Sequence, residues 1–161
     1  MLEILTPLSK LHRVSRSVDS STFIAVPGMW GELQHDGMLI NIVTNVPAKI
    51  NKLIINSSSN NAYESNDVEV GRVSTIEDIG VRCFVDNNGF TGDPAVGELL
   101  AVSDKAGAEG LLFSIDEQPN GEFGDYEIVA VVEEKDSVAG TIVYRTLSPE
   151  IKTLIAPITT P

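Results

Sequence analysis

The stretch Glu127-Ile-Val-Ala-Val-Val-Glu133 places five apolar residues in a row between two glutamates. It has neither the alternation of a half-buried strand nor the spacing of an amphipathic helix, and its Val and Ile residues favour extended structure. We therefore predict a strand here that is either a central strand buried on both faces or part of a sandwich core.

Similar short apolar runs lie on both sides of this stretch, and turn residues separate them. Pro27-Gly28, Asp36-Gly37 and Pro119-Asn120-Gly121 are typical of tight turns, because Gly and Asn accept positive φ and Pro withholds a backbone donor. No strong helical pattern connects the runs, which predicts an all-β, mainly antiparallel fold: a small β-barrel or β-tulip, or a β-sandwich. The predicted strands are 23–26, 38–44, 50–55, 68–73, 81–85, 98–102, 111–115, 127–133 and 140–146.

The two ends of the chain differ from its middle, and 161 residues is the length of one domain. Residues 1–22 are interpreted as an N-terminal arm, either a short helix or extended, and residues 23–147 as a single β domain. Residues 148–161 are interpreted as a short C-terminal tail, because Pro149, Pro157 and Pro161 leave too little room for a regular element.

The chain carries 11 Lys and Arg residues against 23 Asp and Glu residues, for a net charge of −12. This charge would repel a phosphate backbone, so we predict no nucleic-acid partner. No apolar run approaches the length of a membrane-spanning helix, and no signal-peptide core precedes residue 22. We therefore expect neither membrane association nor export.

Side chains that carry chemistry are few. Cys83, the single cysteine, alternates with Val81 and Val85 and is predicted to be a buried structural thiol, with no disulfide. The two histidines, His12 and His35, stand in no catalytic or metal-binding spacing, and phosphate-binding and nucleophile motifs are missing. We predict no catalytic residue, no cofactor and no metal, so the chain is not expected to be an enzyme.

The segment Asp86-Asn-Asn-Gly-Phe-Thr-Gly-Asp93 is rich in oxygen ligands and faintly resembles a calcium loop. Phe90 stands at the fifth position, where an EF-hand needs a ligand, and no bidentate Glu follows at the twelfth. A hairpin connection is the favoured interpretation, with calcium binding left open.

The N-terminal segment interleaves apolar with basic residues in an otherwise acidic chain, which is typical of a partner-binding surface. Trp30, between glycines on an expected loop, is either a plug over the end of the core or an exposed anchor. The candidate contact residues are Leu8, Lys10, Leu11, Arg13, Val14, Arg16 and Trp30.

Three stretches together resemble the capsid decoration (cement, or head auxiliary) proteins of tailed bacteriophages. They are Asp93-Pro-Ala-Val-Gly-Glu-Leu-Leu-Ala-Val102, Asp125-Tyr-Glu-Ile-Val-Ala-Val-Val-Glu-Glu134 and Gly140-Thr-Ile-Val-Tyr-Arg-Thr146. The likeness covers roughly residues 66–147 and rests on a proline–glycine turn before a strand, an apolar strand after a variable loop, and a closing strand.

This resemblance implies a structural protein without catalytic residues, made in the host cytoplasm and located on the outer capsid surface of the virion. It implies binding to the assembled major capsid protein, bridging of its subunits, and a homo-oligomer, with a trimer favoured. By the same analogy, the apolar residues of the N-terminal arm fill capsid grooves and its basic residues meet acidic groups.

Two other classes of function stay open. One is another virion component or a receptor-binding β module of a head fibre or tail. The other is a carboxylate-dependent hydrolase, which would need two carboxyl groups facing each other across a cleft.

Overall fold

The computed structural model describes residues 1–7, 10–11, 13–45, 48–56 and 71–156. The elements that lie wholly within these residues are β-strands and a 3-10 turn at Pro119–Gly121. The strands are β1 (Leu2–Ile4), β2 (Arg13–Ser17), β3 (Trp30–Leu33), β4 (Leu39–Asn41), β5 (Lys52–Ile55), β6 (Arg72–Ile76), β7 (Arg82–Val85), β8 (Leu99–Val102), β9 (Leu112–Ser114), β10 (Gly124–Asp136) and β11 (Thr141–Leu154).

The strands form two sheets, and every strand pair is antiparallel. The six-stranded sheet has the order β1-β7-β11-β10-β8-β9, and the five-stranded sheet has the order β2-β6-β5-β3-β4. The all-β, antiparallel class is therefore confirmed. Neither strand order closes into a barrel over the part of the chain that the structure describes.

The main core contains side chains from both sheets. Ile54 and Ile76 of the five-stranded sheet cluster with Val85, Ala130 and Tyr144 of the six-stranded sheet, all buried. This shared cluster joins the two sheets, since apolar surface removed from water stabilises by roughly 25 cal/mol per Å².

The apolar run between Glu127 and Glu133 lies in β10, which pairs with β11 on one side and β8 on the other. Ala130 and Val132 point to the main core, whereas Tyr126 and Ile128 pack in a second cluster on the other side of the sheet. The predicted central strand, buried on both faces, is confirmed.

Seven of the other predicted runs overlap strands, with boundaries shifted by a few residues. For the run 68–73, the overlap is with β6, and residues 68–70 lie outside the described residues. The predicted strand 23–26 is wrong. There, the Asn41 side chain accepts from the Ile24 amide and donates to the Ile24 carbonyl, both at 2.8 Å, so a side-chain amide replaces a neighbouring strand.

Both ends of the chain contain strands that the pattern did not reveal. β1 pairs with β7, and β2 pairs with β6, so residues of the predicted arm belong to each sheet. β11 continues to Leu154, so the absence of a regular element predicted from residue 148 onward is wrong for residues 148–154.

Proline at position 149 is tolerated in β11 because the β10–β11 register shifts there. Ile128 pairs with Glu150, but Ala130 pairs with Thr146, which leaves extra residues of β11 opposite Val129. At such a bulge the ladder is already interrupted, so the missing N–H of Pro149 breaks no regular bond.

The five-stranded sheet is strongly curved. Ser17, at the end of edge strand β2, forms an isolated parallel bridge with Met38, next to edge strand β4. The inside of this curve holds a small apolar cluster that includes Val18, Phe23 and Leu39. Curvature therefore brings two edges of one sheet together at a single point.

The segment from Asp86 to Asp93 does not form the predicted hairpin connection. It leaves β7 and leads toward β8, and two other strands, β11 and β10, lie between these in the sheet. A turn sequence specifies only a local chain reversal, and the choice of partner strand depends on the packing of the whole sheet.

Candidate functional site

Apart from Trp30, the described candidate contact residues lie on and before β2, at one edge of the five-stranded sheet. Lys10 and Arg13 are exposed, and Leu11 packs against the main core. Val14 is half-buried, and Arg16 forms a two-pronged ion pair with Glu77. Leu8 lies outside the described residues.

The loop position predicted for Trp30 is wrong, because Trp30 begins β3 and its side chain is buried in the main core. The glycine at position 31 is explained by close strand packing and not by a loop. A Cβ at this position would lie 3.0 Å from the Ile40 carbonyl oxygen, so glycine lets β3 and β4 approach closely. Burial favours the core plug over the exposed anchor.

A cavity of about 140 Å³ opens between the two sheets, and we call it the intersheet cavity. One wall is apolar and includes Trp30, Leu53, Ile54, Ile76, Val129 and Leu147. Leu147 and Pro149 belong to the bulged part of β11, so the backbone irregularity that accommodates the proline also shapes this cavity.

A buried charged cluster adjoins the intersheet cavity. Lys52 Nζ of β5 lies 3.8 Å from Glu32 Oε1 of β3 and 3.8 Å from Glu127 Oε2 of β10. The backbone amides of Asn51 and Lys52 also donate to Glu127 Oε2, at 3.4 and 3.2 Å. One ammonium group thus holds two carboxylates from opposite sheets. Asn51, Lys52 and Glu127 also line the cavity.

Burial raises the pKa of Glu127 to about 7, and the Lys52 ammonium with the two backbone amides only partly offsets this rise. Desolvation penalises the charged carboxylate, and this is the cause that raises the pKa. Glu127 therefore exchanges a proton near neutral pH, which is unusual for a structural glutamate.

This raised pKa predicts a pH-dependent stability. A group whose pKa is higher in the folded chain stabilises it below the unfolded value, and that contribution is lost as pH rises through about 7. We expect Glu127 to make the protein about 1 kcal/mol more stable at pH 6 than at pH 8. Urea unfolding at both pH values measures this difference.

The matched variants are Glu127→Gln, which should lose this contribution, and Asp116→Asn at an exposed position, which should keep it. An unchanged pH dependence in Glu127→Gln would contradict the assignment.

A second buried carboxyl lies on the far side of the six-stranded sheet. Glu122 is fully buried and hydrogen-bonds to the Ser103 hydroxyl through Oε1. Burial raises the pKa of Glu122, and it also raises the pKa of Tyr126, whose hydroxyl donates to Asp104 at 3.0 Å. These groups fasten the loop after β8 to the start of β10.

The candidate calcium ligands have protein partners. Asp86 accepts from the N-terminal amine at 2.8 Å and from the Asn88 amide, and Asp93 pairs with Lys135 at 2.5 Å. The two carboxylates are thus directed to different groups. Over the described residues, no three or more His, Cys, Asp or Glu side chains are grouped in a way that could hold a metal ion.

Cys83 is buried as predicted, and desolvation raises the pKa of its thiol to about 12. This thiol is therefore inert at physiological pH.

Among the described residues, no helix is both long and apolar enough to span a membrane.

Sequence reasoning missed the cluster of Glu32, Lys52 and Glu127. The available signal was Glu127, because a charge directly next to a buried apolar run needs a partner. Nothing local identified Glu32 and Lys52 as that partner, since they come from two other strands.

No protein-family model matches this chain, and neither a curated protein nor a solved structure matches it significantly.

Proposed function

We propose that this chain is a non-enzymatic structural protein that binds the outer surface of an assembled bacteriophage capsid and bridges its major capsid protein subunits. The observation that carries the proposal is a cationic edge in a strongly acidic chain. This cationic edge consists of Lys10, Arg13 and Arg72 around β2 and the adjoining β6, and all three residues are exposed.

The cationic edge combines two means of recognition. Its charges complement an acidic partner surface, which favours encounter and orients docking. β2 pairs with β6 only, apart from the single bridge at Ser17, so an incoming strand could add along its other side within the described residues. Arg72 binds the Ser15 and Ser17 hydroxyls of β2, which keeps this edge ordered.

We further propose that the two sheets form a β-sandwich whose five-stranded layer is rolled toward a barrel. The shared core between the sheets and the Ser17–Met38 bridge support this arrangement. A homotrimer on the virion surface, made in the host cytoplasm, is part of the same proposal. The high negative charge would keep the decorated particles apart in solution.

Co-sedimentation with expanded capsids tests this function. We expect saturable binding of the wild-type chain to assembled capsids and none to unassembled capsid protein. The charge reversal Lys10→Glu with Arg13→Glu should weaken binding by at least about tenfold, because two favourable charge interactions become repulsive. Light scattering of the free protein measures its oligomeric state.

The control pair, Lys49→Glu with Lys152→Glu, changes the net charge equally at other exposed positions and should bind like the wild type. Equal losses in both pairs would show that only net charge matters. An absence of binding by the wild type would overturn the proposed function.

A carboxylate-dependent hydrolase is the second candidate, favoured by a titrating Glu127 at the wall of a cavity. This role predicts turnover of 4-nitrophenyl glycosides that Glu127→Gln abolishes. No turnover by the wild-type protein would remove the candidate.

Copurification of the protein with virions, without binding to purified capsids, would indicate another virion component, such as a head fibre or tail module.

A further inference from the structure

We propose that a polar cleft beside the start of β10 binds one saccharide unit, through the hydroxyl groups and one face of the sugar ring. The polar cleft has a volume of about 340 Å³. The residues that line it are Asn45, Ala48, Asp104, Lys105, Phe123, Asp125 and Tyr126. The proposal goes beyond the proposed function and requires neither a capsid nor the cationic edge.

The polar cleft lies where three parts of the chain meet. Asn45 and Ala48 belong to the connection between β4 and β5 of the five-stranded sheet. Asp104 and Lys105 follow β8, and Phe123 directly precedes β10, both in the six-stranded sheet. Pockets for small organic ligands usually span about 300–1,000 Å³, so the polar cleft is large enough for one sugar ring.

Two carboxylates provide free acceptors in the polar cleft. The Tyr126 hydroxyl donates to Asp104 Oδ1 at 3.0 Å, and the Thr153 hydroxyl donates to Asp125 Oδ1 at 2.5 Å. Both donors are neutral, and over the described residues neither carboxylate forms an ion pair. The second oxygen, Oδ2, of each carboxylate can therefore accept from a ligand.

Donors lie beside these acceptors. Lys105 Nζ contacts Asn45 Oδ1 at 3.5 Å, which is the only hydrogen bond of this ammonium within the described part of the chain. An ammonium carries three donors, and the Asn45 amide group both donates and accepts. A ligand that only donates would leave Lys105 without a new partner, and one that only accepts would leave the carboxylates without one. A hydroxyl group does both, so a ligand rich in hydroxyl groups fits this lining.

An aromatic ring provides the apolar part of the polar cleft. Phe123 is 38% exposed although it is a large apolar residue, and its side chain lines the cleft. One face of a sugar ring carries mainly C–H groups, which pack on an aromatic ring while the hydroxyl groups reach polar neighbours. A short linear polyol has no such face. The ring and the polar groups together therefore favour a cyclic sugar.

The polar groups are held in place before a ligand arrives. The Asn45 amide donates to the Asp104 carbonyl at 3.1 Å, which joins two of the three parts. The Lys105 amide donates to the Ser103 hydroxyl at 3.2 Å, and the buried Glu122 bonds to the same hydroxyl. Groups that are already ordered lose less conformational freedom on binding, which favours affinity in a shallow site.

Sugar titration of the intact chain, followed by NMR, tests the ligand class. The probes are the methyl glycosides of glucose, galactose and N-acetylglucosamine. At least one of them should shift the backbone amide signals of Asp104, Lys105 and Asp125, with saturation at millimolar concentration. Glycerol, which lacks a ring, and free glycine, a zwitterion, should bind at least about tenfold more weakly.

Three variants locate the site. Phe123→Ala should weaken binding of the sugar by at least about tenfold, whereas Phe123→Tyr, which keeps the ring, should bind within about twofold of the wild type. Asp125→Asn should weaken binding by a few-fold, because it removes a charged acceptor. The controls Val138→Ala and Asp116→Asn, at exposed positions outside the lining, should change nothing.

No saturable shift with any of the three glycosides would overturn the site. Equal binding of glycerol or free glycine would overturn the saccharide as its ligand. Unchanged binding in both Phe123→Ala and Asp125→Asn would show that the sugar does not bind in the polar cleft. Because these titrations use no capsid, their failure is distinguishable from failure of the proposed function.

Discussion

Replacing Lys52 with Met is expected to lower the free energy of unfolding by about 3–5 kcal/mol at pH 8, because it leaves buried carboxylates without their cation. Met keeps the apolar stem of the side chain and removes only the ammonium. The side chains of Lys52, Glu32 and Glu127 are 9%, 5% and 1% exposed, so bulk solvent compensates poorly for the lost partner. Urea unfolding followed by circular dichroism measures the loss.

The double variant Lys52→Met with Glu127→Gln separates the contribution of the ion pair to stability from the contribution of side-chain packing. It should recover a large part of the loss, since a neutral amide replaces the carboxylate that would otherwise be buried without a cation. The single variant should also lose less at pH 6 than at pH 8. Glu127 is protonated more readily at the lower pH, and removal of the Lys52 charge raises its pKa further.

Lys152→Met, at an exposed position, is the matched control and should change stability by no more than about 0.5 kcal/mol. A loss below about 1 kcal/mol in Lys52→Met at pH 8 would contradict the role of Lys52 as the link between the sheets.

Gly110→Ala is expected to destabilise the protein by about 2–5 kcal/mol, the sum of two separate penalties. Gly110 has a φ of +80°, and an L-residue in that region costs about 1–2 kcal/mol. Its new Cβ would also lie 2.7 Å from the Trp30 carbonyl oxygen, a backbone atom of β3. Moving the loop away costs about 1–3 kcal/mol and strains the 2.9 Å bond from the Trp30 amide to the Gly110 carbonyl.

Gly107→Ala is a closely matched control from the same loop. Gly107 has a φ of +85°, and a Cβ there meets nothing within 4 Å. This variant should show only the conformational penalty, about 1–2 kcal/mol. The difference between the two thermal or urea unfolding curves measures the close approach of the loop to β3. Equal losses in both variants would contradict that contact.

The fold class was predictable because period and composition are local properties. The run at 127–133 needed no knowledge of its neighbours to be assigned to a buried strand, and β10 is such a strand. Cys83 was assigned to an apolar face from simple alternation, and it is fully buried.

Elements whose partners are distant in the chain were harder to predict. The pattern of residues 10–16 suggested an arm, but pairing with β6 makes β2 a strand. Proline at 149 suggested a chain end, but the bulge in β11 lets the strand continue past it. In both cases the deciding hydrogen bonds come from residues far away in the sequence.

The same distinction holds for the candidate site. Composition alone determined a folded, strongly acidic β protein with one thiol and two histidines, because these properties are sums over residues. Which glutamates are buried, and which lysine they share, depended on contact between β10 of one sheet and β5 of the other. Burial and charge pairing depend on which residues are neighbours in space. Only the tertiary structure therefore decided that the pKa of Glu127 is raised to about 7, while most other carboxyl groups remain solvated.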